Sequence, residues 1–119
     1  MTEDVDPTAE RVARNDAAFR EANERIAGFS HALEREDPLP VLCECADPRC
    51  TNVVLLTHAE YEELRRHPTW FVNDLGHVVN GRGWARVVSE NERFAVVEKL
   101  GEAAEIVEEL DPRARSEQP

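Results

Sequence analysis

Cys43, Cys45 and Cys50 fall within one stretch of eight residues, CECADPRC, and the 119-residue chain has no other cysteine. That clustering limits the folds open to the chain more than any other feature. Two residues apart on an extended segment, Cys43 and Cys45 project from the same face. Asp47-Pro48 favours a turn that brings Cys50 back toward them, and so short a loop closes at little entropic cost. A disulfide between Cys43 and Cys45 would be strained. The first residues, MTEDVDPTAE, are acidic and lack the apolar stretch of a signal peptide. No apolar run approaches the ~20 residues of a membrane span. The expected compartment is the cytoplasm, where thiols stay reduced and a tight cysteine cluster reads as a metal site.

Zinc takes four tetrahedral ligands, and Cys3His is a common closed set. The fourth ligand comes from His31, His58, His67 or His77. His77 is preferred: it follows Gly76, whose backbone freedom permits a tight approach, and it sits where a loop meets a strand. His58, in the first turn of a helix just behind a strand, is the alternative. His67 closes a helix, where a cation favours the dipole, and His31 lies on the polar side of a long helix. The expected site is therefore structural Zn2+ on Cys43, Cys45, Cys50 and His77. Three thiolates and one imidazole fill the metal and leave it electron-rich, a poor Lewis acid. Neither H-E-x-x-H nor the H-x-E with P-C-x-x-C pattern of zinc deaminases is present, and no catalytic residue is assigned. Removing the metal is expected to loosen the centre of the domain more than the first helix.

The chain carries 25 acidic and 14 basic residues, a net charge of −11. Phosphate recognition needs the opposite balance, so nucleic acid is not the expected partner. Arg65, Arg66, Arg82, Arg86 and Arg93 near Trp70 and Trp84 keep a nucleic-acid-binding zinc module as the alternative. A zinc or thiol enzyme and a redox-sensing zinc switch are lesser ones. The leading expectation is a non-enzymatic regulatory or adaptor protein.

Length allows one domain. Residues 1–6 read as a flexible N-terminus and 7–36 as a long amphipathic helix. Residues 37–110 read as a small α+β zinc-binding domain, and 111–119 as a disordered tail. In the helix, Asp6 and Pro7 suit the start. Val12, Phe19, Ile26 and Leu33 recur every seven residues, with Ala22 and Phe29 three after Phe19 and Ile26, a stripe fit for a second copy or another protein. Pro38 and Pro40 end it. Residues 41–45 and 52–56 read as strands flanking the cysteine loop. Thr57 and Glu60 form a capping box for a helix ending before Pro68. Further strands follow at 69–72 and 94–99, with a hairpin around Asn80-Gly81 and a last helix after Gly101. The whole is α+β, two helical ends around a small mixed or antiparallel sheet.

Several segments together, ARNDAAFREANERI (13–26), CECADPRC (43–50), LTHAEYEELRRHP (56–68), the GH pair at 76–77 and VVEKLGEAAEIVEELDPR (96–113), resemble a family of small, largely uncharacterised bacterial proteins. The resemblance implies that the cysteines and His77 belong to one set. It implies no activity, substrate or partner.

Overall fold

A computed structural model describes residues 7–45, 47, 49–77 and 84–113. The elements run α1 (Pro7–Ala32), β1 (Leu39–Leu42), β2 (Val53–Leu56), α2 (His58–Arg65), β3 (Trp70–Asn73), β4 (Ala85–Glu90), β5 (Ala95–Lys99) and α3 (Gly101–Glu109). The chain is α+β, with two antiparallel sheets: a β1–β2 pair, and a three-stranded sheet in the order β3-β5-β4. The segment around Asn80-Gly81 lies outside the described residues.

β3 and β5 of the three-stranded sheet are buried on both faces, whereas β4 is half-exposed. Successive residues of β3 point opposite ways: Phe71 meets Ala13 of α1 and Ala103 and Val107 of α3, whereas Val72 joins Leu39, Val41, Val54, Leu56, Tyr61 and Leu64. This accounts for the unbroken apolar runs at 71–72 and 94–97, since a strand covered on both sides has no polar face to alternate. Thr57 caps α2 as its sequence predicts: its hydroxyl accepts from Glu60 N, and the Glu60 carboxylate accepts from Thr57 N.

α1 stops at Ala32, four residues before its expected end. Glu34 takes a left-handed φ of 55°, Arg35 N donates to Ser30 O, and Glu34 N donates to His31 O. These bonds form a Schellman motif. Glycine usually marks that position, and here glutamate stands in its place.

The inward face of α1 also differs from the apolar stripe. Its buried residues are Ala9, Ala13, Asp16, Arg20 and Asn23, three and four apart, and then Ser30, seven residues further on. Val12, Phe19, Ala22 and Ile26 are half-buried, while Phe29 and Leu33 are exposed. Four buried charges therefore meet between α1 and the sheets. Arg20 pairs with Glu44 at 3.0 Å and Asp16 with Lys99 at 2.6 Å. Both cations lie over the Phe71 ring, Arg20 Cζ 4.0 Å and Lys99 Nζ 5.8 Å from its centroid.

Asp16 makes this interface sensitive to pH. Burial drives its pKa up, and the attraction of Lys99 and Arg20 offsets that only partly, leaving it at about 7 against an ordinary 3.8. A carboxyl whose folded pKa is raised holds its proton more tightly in the folded chain. Its contribution to stability is complete below the unfolded pKa and is lost as pH rises through the folded one. Urea denaturation should show wild type losing about 1 kcal/mol per pH unit relative to Asp16→Asn between pH 5 and 7. A constant difference across that range contradicts the assignment.

The end of the described chain is docked rather than loose. Asp111 is buried and accepts from Arg65 Nη2 at 2.5 Å, while Arg65 Nε reaches Glu24 Oε2 at 3.0 Å. Arg113 bridges Glu24 and Glu62 at 2.7 and 2.9 Å. The expected disordered tail from Asp111 thus gives way, over 111–113, to a segment that ties α1 to α2.

Candidate metal centre

The cysteine segment forms where the two sheets meet. Beyond β1, Cys43 N donates to Asn52 O at 2.9 Å, continuing the pairing with the chain leading into β2. One residue on, Glu44 N donates to Val72 O of β3 at 2.7 Å. The backbone thus passes from one sheet to the other between two thiols. Cys50 returns through a turn in which its N–H reaches Asp47 O at 3.0 Å, and Asp47 Oδ1 accepts from Arg49 N at 2.9 Å.

His77 arrives from the end of β3. His77 N donates to Asp74 O at 3.0 Å, closing a four-residue turn whose third residue, Gly76, has φ +87°. Positive φ at that position is what a type II turn requires. Asp74 N donates to Cys43 Sγ at 3.1 Å, so the same turn aims a backbone N–H at one of the sulfurs.

The ligand atoms of Cys43, Cys45, Cys50 and His77 all lie within 4.8 Å of one another and can hold a metal ion. His77 Nδ1 is 3.7 Å from Cys43 Sγ and 3.5 Å from Cys50 Sγ. Zinc bond lengths of ~2.3 Å to sulfur and ~2.0–2.1 Å to nitrogen give a tetrahedral S···N edge of about 3.6 Å. Both distances match that edge.

Electrostatics explain why the cluster calls for a cation. Burial pushes the Cys43 thiol well above its ordinary range, and the neighbouring thiols Cys45 and Cys50 push it further, against the Asp74 N–H. Burial likewise raises Cys45. Cys43 and Cys45 thus resist ionising by themselves, whereas a divalent ion at the centre of the cluster would reverse the balance and bind them as thiolates.

Nearby carboxylates are already engaged. Asp74 Oδ2 accepts from Asn52 Nδ2 and Oδ1 from Leu75 N, both at 2.9 Å. Glu44 points away from the sulfurs, toward α1. Asn52 also lies 3.3 Å from His77 Nε2, a contact that sequence reasoning did not anticipate because Asn52 carries no motif.

The other histidines are placed elsewhere. His58 Nδ1 is 2.6 Å from Asp37 Oδ1 and its Nε2 is 3.1 Å from Ser30 Oγ. The order Asp37–His58–Ser30 is that of a hydrolase triad. Ser30, however, is inside α1, where backbone N–H groups bond along the helix and cannot cradle an oxyanion. Asp37 also accepts from His58 N at 2.6 Å, so the trio ties the end of α1 to the start of α2. His67 stacks on Trp70 at 3.7 Å, and His31 is exposed on α1.

No described helix is long and apolar enough to cross a membrane. Comparison with protein-family models, curated proteins and solved structures yields no match.

Proposed function

We propose that this chain is a zinc protein whose metal is structural, acting as a non-enzymatic regulatory or adaptor module. The observation that carries the metal reading is the set of three sulfurs and one ring nitrogen within 4.8 Å of one another, with His77 Nδ1 at the tetrahedral edge distance from two of the sulfurs. Soft thiolate donors favour zinc over magnesium, calcium or manganese, and a filled shell leaves no position for substrate.

An apolar outer surface supports the adaptor role. Phe29 is 69% exposed, Leu33 50%, Val53 55% and Leu55 48%. Pro40 stands opposite Leu55 and Leu42 opposite Val53 across the β1–β2 pair. Phe29, Ile26, Pro38 and Pro40 line one groove of ≈ 340 Å³. The groove joins the last turns of α1 to the outer face of the hairpin, and such strips mark contact surfaces.

Cobalt substitution tests the filled shell. Co2+ in place of zinc should give the visible spectrum of a tetrahedral thiolate-rich site, unchanged by cyanide or azide. A spectrum that shifts on adding either anion reveals an open position and favours the enzyme reading.

A further inference from the structure

We infer that Glu44 couples occupancy of the metal site to the docking of α1, so that metal and helix bind the sheet as one linked unit. This rests on the metal reading above. Glu44 lies between two ligands, Cys43 and Cys45, on an extended segment that sends the thiols to one side and the carboxylate to the other. The carboxylate is fully buried. Its Oε2 accepts from Arg20 Nε at 3.0 Å and Asn23 Nδ2 at 2.9 Å, while Oε1 accepts from Arg20 Nη2 at 3.2 Å and Val72 N at 2.9 Å. Arg20 Nη2 also donates to Trp70 O. Asn23 spans both backbone groups of Leu42, accepting from its N–H at 2.7 Å and donating to its C=O at 2.9 Å.

The rest of the helix face gives this link its weight. α1 turns small or polar side chains inward, Ala9, Ala13, Asp16, Arg20, Asn23 and Ser30, and these bury little apolar area. Ile26 and Ala27 add half-buried apolar packing, but the fully buried contacts of α1 are largely polar, and a buried ion pair that loses one partner becomes strongly unfavourable. A shift of the Cys43–Cys45 segment that carries Glu44 away from Arg20, Asn23 and Val72 weakens its four hydrogen bonds together, since such bonds fall off steeply with distance and angle. A metal that fixes that segment holds α1 down. A site that relaxes without metal lets it go. α1 thus loosens together with the centre of the domain when metal is lost, whereas the sequence alone predicts that the centre loosens more than the helix.

Coupling of this kind is reciprocal: whatever factor the metal adds to helix docking, helix docking adds to metal affinity. The test uses the full-length reduced protein, zinc and a competing chromophoric chelator. Arg20→Met and Glu44→Gln should each weaken zinc affinity about tenfold, within the usual range for coupled sites. Amide hydrogen exchange on the zinc-loaded variants should show faster exchange over residues 16–32, with residues 43–50 and 73–77 still protected. Arg86→Ala removes a surface ion pair with Glu98 that joins β4 to β5 and does not involve α1, and serves as the control; its zinc affinity should stay within twofold of wild type. Zinc affinity within twofold of wild type for a folded Arg20→Met or Glu44→Gln overturns the coupling. Should either variant fail to fold, exchange on wild type with substoichiometric zinc decides: α1 amides must gain protection in proportion to zinc added, and protection independent of zinc overturns the inference. Wild type that retains no zinc sinks the underlying metal reading instead, a separate outcome.

Discussion

Stripping the metal from the reduced protein should abolish its cooperative thermal transition or lower Tm by more than about 20 °C. The size follows from two comparisons. Structural zinc contributes an apparent ~10–16 kcal/mol to folding in small zinc modules at neutral pH, while a whole domain is stable by only ~5–15 kcal/mol. In this chain the metal would join the β1–β2 segment to the end of β3, and so one sheet to the other. Each kcal/mol is worth roughly 4–8 °C in a domain of 60–100 residues and somewhat less in a longer one, so even partial loss is readily visible. Circular dichroism melts before and after chelation, with metal content verified and thiols kept reduced, check the result. A melt that survives verified metal removal within a few degrees contradicts it.

The second large effect lies on the far side of α1. Arg65→Ala should destabilise the folded chain by about 3–5 kcal/mol, the usual cost of leaving buried charge unpaired. Arg65 is buried with Asp111 and bonds Glu24 as well. Glu24 keeps the Tyr61 hydroxyl at 2.6 Å and Arg113, but Asp111 loses its guanidinium partner. Ending the chain after Leu110 removes Asp111 and Arg113 together, and should cost less, about 1–3 kcal/mol, because Arg65 loses Asp111 but keeps Glu24. Urea denaturation of both forms measures the effect, and a change below about 1 kcal/mol in each, as for an exposed pair, shows that the segment is not the latch described.

Much of this architecture was legible in residue order, for identifiable reasons. The Thr57–Glu60 capping box is local chemistry, closed within one turn. The strands around the cysteine loop follow from runs too short and too β-branched for helices. The spacing of the thiols, with a glycine before His77, was enough to pick out the four residues that the fold brings together.

What stayed hidden was set by tertiary context. α1 looked apolar along Val12, Phe19, Ile26 and Leu33, yet its buried face carries Asp16, Arg20 and Asn23. Each of these polar groups is tolerated because its partner, Lys99, Glu44 or the Leu42 backbone, arrives from a distant part of the chain. Periodicity cannot see such a partner. The same holds for Asp111, which looks like the start of a polar tail until Arg65 is placed beside it. The end of α1 was misjudged because Glu34 occupies a left-handed position that glycine would have announced. Glu44, between two cysteines, carries no signal of a partner in residue order; the fold alone shows that it faces Arg20 and Asn23.

X-ray absorption at the zinc edge of the metal-loaded protein tests the central claim most directly. One zinc per chain, with three sulfurs at about 2.3 Å and one nitrogen at about 2.0–2.1 Å, is the predicted result. A chain that retains no zinc when reduced, or a shell dominated by oxygen, contradicts it.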